Sequence, residues 1–389
     1  MGLTTVPVPP VAPAPVPVVP GHHPGADRGA PLDPAALRRV LLVRADNAGD
    51  VLTAAPVVRA LRRFAPHAAL DLLTSPVGAA AAPLVPGLDA VRTVSALWQQ
   101  LGSGPPDAAE RERRLVRELR EPGYDTMVVL TSFSQSPWPV AHAGLLAGIG
   151  TRIVHSREFG GAVATHWVTP PPETTHQVDR GLHLLSAVGV PGRGARLGLR
   201  VPDADDRAAG ELVGGGPFAV LAPGASCPTR RYPAVRFGRA AALLAAAGLP
   251  VRVSGAPAEA ALVAEVVASA AHPGVTALDP VPLPVFAGVV RRAAVAIVNN
   301  SGGMHLADGL GTPAAVVFAG TERPGDIAPR NVPVALLGVR VPCSPCRLLT
   351  CPYDLQCLAV PPERVAAAAT GLARASVRPS AERVRVDHG

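Results

Sequence analysis

"RRVLLVRADNAGDVLTAAPVV" occupies residues 38–58, and its reading decides the fold. An apolar run, "RRVLLV", gives way to the short polar turn "RADNAGD", and apolar residues then recur at helical spacing, predicting a helix over 51–64. A continuous apolar run, unlike an alternating one, marks a strand covered on both faces, as in parallel sheets flanked by helices. In such sheets ligands bind in the crevice outside the carboxyl ends of the strands. Asp50 stands at that end. It reads either as a helix cap or as a carboxylate able to take a proton.

Downstream the same alternation continues. The strands "ALDLLT" (69–74), "AVRTV" (90–94, edge-like), "DTMVVL" (125–130) and "TRIVH" (151–155) are interleaved with helices at 107–120, 138–148 and 176–190. The Gly-, Pro- and Asp-rich stretch 191–206 reads as a linker. Beyond it come strands at 218–226, 251–255, 294–300 and 313–318, with helices at 234–248, 258–270, 283–292 and 303–310. Two βα series split by a linker predict an α/β protein with two Rossmann-like domains facing across a cleft. The expected boundaries are a disordered Pro-rich tail over 1–36, domains over 37–195 and 196–376, and a tail over 377–389.

Composition narrows the function. The 389 residues suffice for two cores. Although 48% of residues are hydrophobic, no uninterrupted apolar run approaches the roughly 18–20 residues of a membrane span. The net charge of +7 comes from scattered arginines with no lysine, and aromatics are only 3%, so nucleic-acid binding is not expected. The prolines of the N-terminal segment break any apolar h-region, so no secretory signal is expected there and the cytoplasm is the expected compartment. Peripheral contact with a membrane remains compatible with scattered arginine.

Three further stretches carry chemistry. In "LAPGASCPTRRYP" (221–233) a strand ends at small residues, where Ser226 and the backbone approach a ligand closely and Arg230 supplies a phosphate-matching fork. In "VNNSGGMHLADGLGTP" (298–313), Ser301, Gly302 and Gly303 open a helix whose free N–H groups suit a diphosphate, although Ser301 also reads as a plain N-cap. In "VSGAPAEAALVAEV" (253–266), Glu259 follows a strand-to-helix turn, placed to accept ribose hydroxyls or to favour the helix dipole. His305 inside the following helix reads as a packing residue. "CSPCRLLTCPYDLQC" sets Cys343, Cys346, Cys351 and Cys357 within fifteen residues, a candidate structural zinc site, local disulfides or packed thiols.

Taken together, "RRVLLVRADNAGDVLTAAPVVRALRRFAPHAALDLLT", "LAPGASCPTRRYPAVRF", "VSGAPAE" and "VNNSGGMHLADGLGTPAAVVF" resemble, in order, the motifs of glycosyltransferase family 9, the ADP-heptose:lipopolysaccharide heptosyltransferases. The resemblance runs from about Arg38 to Leu372. It implies a GT-B fold with the acceptor on the N-terminal side, a nucleotide-sugar (an ADP-sugar favoured) on the C-terminal side, and inverting transfer without a catalytic metal. The implied acceptor is a glycan or glycolipid of the cell envelope. By the same resemblance Asp50 is the general base, Arg230 meets the donor phosphates, Glu259 the ribose, and Ser301 and Gly302 the phosphate turn. Asn300 stands where the family commonly has a donor-sugar-contacting Asp. The rival readings are a nucleotide-sugar epimerase, with the same pair of facing domains, and a non-catalytic nucleotide-sugar binder.

Overall fold

The computed structural model describes residues 27 and 29–377, apart from 101, 134, 193 and 195. The expected tails therefore lie largely outside the described residues. Two six-stranded sheets, parallel throughout, form the frame. The first contains β1 (Arg39–Arg44), β2 (Ala69–Thr74), β3 (Ala90–Thr93), β4 (Thr126–Val129), β5 (Thr151–His155) and β6 (His166–Val168) in the order 3-2-1-4-5-6. The second contains β7 (Ala219–Ala222), β8 (Val251–Val253), β9 (Val275–Ala277), β10 (Val295–Asn299), β11 (Ala314–Val317) and β12 (Val334–Leu337) in the order 9-8-7-10-11-12. This is the same doubly wound order in both halves. Each sheet has its switch point where the order reverses, at β1/β4 and at β7/β10.

Burial follows position in the sheet. In β1 every residue after Arg39 is buried, as a central strand covered on both faces requires. At the edge, β3 alternates half-buried and exposed residues. One apolar cluster joins Leu42, Leu52 and Val58 of the first half to Val220, Val298 and Leu306 of the second, so the halves share a core beneath the cleft. Outer clusters around Met127 and Trp167, and around Phe237 and Val266, close the far faces.

Several elements differ from expectation. The first helix begins earlier, as Ala48–Thr53 with Asn47 as its N-cap, and a second helix, Ala55–Phe64, starts where Pro56 fits a first turn. The linker ends sooner than residue 206, because Asp203–Val213 is a helix with Asp203, Asp205 and Asp206 in its first turn. The segment 27–36 is not free tail where it is described. Asp27 accepts from the N–H and hydroxyl of Thr169 at 2.8 and 2.7 Å, and Leu32 N–H donates to Val188 at 2.9 Å. The short strands β6, β9 and β12 and the C-terminal helix Pro362–Val377 complete the halves.

Candidate active site

Both switch points open into one cavity of about 780 Å³. On its N-terminal side, β1 ends at Arg44, which is 1% exposed. A guanidinium so placed needs anionic partners. Asp46 stands 3.2 Å from its Nε, and Nη2 donates to Asp50 Oδ1 at 2.6 Å and to Ser132 Oγ at 2.8 Å. Burial opposes the charge, but the Asp46 and Asp50 carboxylates outweigh it and push the arginine pKa up. The Asp46 carboxyl is itself raised, chiefly by burial, and is steadied by amide donors from Gln99 and Gln135.

Asp50 is the third residue of its helix, not its N-cap. Its Oδ1 is occupied by Arg44 and by Ser132 Oγ at 3.2 Å. Its Oδ2 reaches back only to the Asn47 N–H, at 3.3 Å. Asp50 thus supports the helix start from its third position while Asn47 is the N-cap, and Oδ2 is its less committed oxygen.

The facing wall comes from the second sheet. After β7, Gly224 lies against Glu259: a Cβ there would sit 2.0 Å from Oε1, so a larger residue would make the carboxylate swing from this position. Glu259 Oε2 accepts from the Ala256 N–H at 3.0 Å, which fixes the turn before its helix. Arg230 donates from Nε to Thr321 Oγ1 at 3.1 Å and from Nη2 to Glu322 Oε1 at 2.5 Å. After β10, Asn299 ties the two switch-point loops together, accepting from the Tyr232 N–H at 3.1 Å and donating to Pro223 O at 2.8 Å. Ser301 is the N-cap of the helix Gly302–Leu310, yet its hydroxyl makes no capping bond. Gly302 and Gly303, at the positive end of that helix's dipole, line the cavity, whereas the Met304 N–H is bonded to Ser301 O at 3.0 Å.

Asp50, Ser226, Arg230, Glu259, Asn300, Ser301, Gly302 and Gly303 all line this one cavity. Asn300 is spent within the protein: its Oδ1 accepts from the Ala319 N–H at 3.0 Å, and its Nδ2 faces Ala319 O and Thr321 Oγ1, each at 3.4 Å. His305, half-buried beside Gly49, also lines the cavity, and burial pushes it down to about 4. Residues that sequence reasoning passed over also line the cavity: Ser132 and Phe133 after β4, Glu322 after β11, and Arg347. Arg180 and Arg347 each lie against the Phe133 ring, 4.7 and 4.6 Å from its centroid. For Glu322 a signal existed, since it follows a parallel strand as Asp50 does.

The cysteines lie apart from this lining. Cys343 is exposed, Cys346 and Cys351 half-buried and Cys357 buried, all as free thiols. As placed, they do not form a metal-ligand set, and no group of three His, Cys, Asp or Glu able to hold a metal occurs among the described residues. Their segment is instead pinned to the loop after β11 by Cys346 N–H to Gly320 O, 3.0 Å, and Arg347 N–H to Thr321 O, 3.1 Å.

The family model described as glycosyltransferase family 9 (heptosyltransferase) matches residues 112–356. No match is found among curated proteins. Among solved structures, the chain is similar to Escherichia coli ADP-heptose LPS heptosyltransferase II, with a TM-score of 0.69 at 18% identity over 87% of this chain and 99% of that one. It is also similar to a family 9 glycosyltransferase of Veillonella parvula, with a TM-score of 0.67 at 18% identity over 87% and 97%. E. coli heptosyltransferase WaaC solved with ADP gives 0.58 at 18% identity over 77% and 91%. At this identity the likeness is one of fold, and the fold is GT-B.

Proposed function

This chain belongs to glycosyltransferase family 9, and from that premise we propose that it is an inverting transferase that moves a sugar from a nucleoside diphosphate, an ADP-sugar such as ADP-heptose, to a hydroxyl of a cell-envelope glycan or glycolipid. The observation that supports this best is the convergence of Asp50 with the Arg230, Glu259 and Ser301–Gly303 groups on one cavity between two switch points. The diphosphate lies at the first turn of Gly302–Leu310, with Arg230 and Ser226 beside it and Glu259 on the ribose. On the opposite side Asp50 Oδ2 takes the proton of the acceptor hydroxyl as its oxygen attacks the anomeric carbon. The bond from that carbon to the diphosphate breaks, and the electron pair leaves on the phosphate oxygen. Fixed donors aimed at a developing charge are the largest electrostatic aid an enzyme commonly has. Arg230 and the helix N-terminus supply that aid, so this reading asks no catalytic metal of the protein.

The adenine preference is supported by the ADP bound in the solved WaaC structure. A cytoplasmic protein touching the inner membrane face only through its acceptor fits this reading. No helix among the described residues is long and apolar enough to cross a membrane. The test is thermal stabilisation by a panel of nucleotides and nucleotide-sugars. A ligand at 100 times its Kd adds about 2.7 kcal/mol to stability. ADP and ADP-heptose are expected to raise Tm above UDP and GDP counterparts. Silence across the panel overturns the donor-site assignment.

A further inference from the structure

Ser132 lines the cavity and touches the proposed base, yet the reading above leaves it without a task. It belongs to "TSFSQS" (131–136), the stretch that follows β4 at the first switch point. The peptide unit leading into it is held at both ends. Gln177 Nε2 donates to Thr131 O at 3.1 Å, and the Ser132 N–H donates to Gln135 Oε1 at 2.8 Å. Gln135 Nε2 donates in turn to Asp46, the other counter-ion of Arg44. A main chain fixed in this way presents the Ser132 hydroxyl to the base.

The direction of each hydrogen bond follows from the groups themselves. Arginine only donates, so the 2.8 Å contact makes Ser132 Oγ an acceptor toward Arg44 Nη2. The serine proton is then free for a second partner, and Asp50 Oδ1 stands 3.2 Å away. Arg44 Nη2 spends its other hydrogen on the same Oδ1, at 2.6 Å. The three groups close a ring in which two donors aim at one carboxylate oxygen. A carboxylate otherwise turns easily, because its terminal torsion is broad, and a single donor can follow it as it turns. Two donors from different directions cannot. Oδ2 meanwhile keeps its lone pairs, apart from the Asn47 N–H at 3.3 Å. Resting on the reading of Asp50 as the base, we propose that Ser132 is a positioning residue for the transfer: with Arg44 it holds Asp50 so that Oδ2, not Oδ1, meets the attacking hydroxyl.

The test is release of ADP from ADP-heptose with water as the attacking hydroxyl, on wild type, Ser132→Ala and Ser132→Thr. ADP-heptose affinity and Tm are recorded on each preparation. Water brings no acceptor sugar for Ser132 to bind, so the rate reports on the base. Ser132→Ala removes one of the two donors and is expected to lower the rate at saturating ADP-heptose by roughly ten- to a hundredfold, since misplacing a reacting group by about 1 Å can cost the larger figure. Affinity for ADP-heptose should stay as in wild type. Ser132→Thr keeps the hydroxyl and should recover most of the rate. An Ala variant as fast as wild type overturns the inference, as does a Thr variant that melts like wild type but is as slow as Ala. A loss confined to affinity would place Ser132 on the donor and overturn it as well. A wild type that binds ADP-heptose but releases ADP no faster than buffer would remove the base and this inference while leaving the donor site standing. Binding of no ADP-heptose at all would remove the donor-site reading too.

Discussion

Replacing Asp50 separates the two duties its position gives it. Its Oδ1 is a counter-ion for a guanidinium that is 1% exposed, and its Oδ2 is the proposed proton acceptor. Removing one partner of a fully buried ion pair costs about 3–5 kcal/mol. Asp50 is 28% exposed, and Asp46 remains 3.2 Å from Arg44, so Asp50→Ala should cost less, about 2–3 kcal/mol. Asp50→Asn keeps an acceptor for Nη2 and exchanges a charged hydrogen bond for a neutral one, about 1 kcal/mol. At roughly 2–4 °C per kcal/mol for domains of this size, the Asn variant should melt only a few degrees below wild type and the Ala variant clearly lower. Turnover should fall in both by a similar factor, on the order of 10²–10⁴, because neither retains a base. The assay is glycosyl transfer at saturating donor, with melting and nucleotide binding measured on the same samples. If Asp50→Asn keeps turnover within tenfold of wild type while Asp50→Ala is dead, Asp50 serves Arg44 alone and the mechanism is wrong.

Arg230→Ala should weaken nucleotide binding by roughly ten- to a hundredfold and destabilise the fold, since Glu322 is left unpaired. Adding Glu322→Gln should restore the melting temperature but not the affinity, and recovery of affinity would remove Arg230 from the phosphates. Asn300→Asp loses the donors facing Ala319 O and Thr321 Oγ1 and buries a charge, so an unfolding free energy lower by about 1–3 kcal/mol is expected from denaturant titration. A variant as stable as wild type and more active would show that residue 300 faces the sugar instead. His155 is pushed down to about 3 by burial and by neighbouring Arg180, His183 and Arg44, whereas unfolded it titrates near 6.5. The unfolded chain therefore binds the extra proton between those values. The stability tied to neutral His155 is fully present above about 6.5 and is lost as pH falls toward 3, by up to ~1.4 kcal/mol per pH unit. His155→Gln should flatten urea midpoints measured from pH 7 to 5, and an unchanged slope would contradict this.

How far the sequence reached depended on whether a signal was local. The run through Val40–Val43 and the turn to Asp50 need only neighbours along the chain, as do Ser301–Gly303 and Glu259, and all were legible. β6, β9 and β12 are strands of three or four residues whose pairing partners lie elsewhere in the chain, so period-2 patterning has nothing to count. The helix Asp203–Val213 hid inside a Pro- and Gly-rich stretch, although its acidic first turn was a start signal, and Asp206 is held there by Arg291 and Arg292. Asp27 anchors to Thr169 across the sequence, which composition cannot foretell. In the site, Phe133 and Arg347 meet only because β4 and the cysteine-bearing segment converge on the cleft. The role of Asn300 likewise follows from what packs beside it, not from its place in a motif.

At the floor of the cleft, Gly49 and Gly302 bring two main chains together with no side chain between them, but they are not interchangeable. A methyl group on Gly49 would lie 3.2 Å from the Gly302 Cα and 3.0 Å from His305, whereas one on Gly302 would meet Gly49 at 3.7 and 4.0 Å, ordinary contact. Mutational drift should thus see one glycine as a wedge point and the other as nearly free to take alanine. In a saturation scan, Gly49 should tolerate substitution less well than Gly302, although both line the cavity. Its intolerance would record how closely the halves must meet.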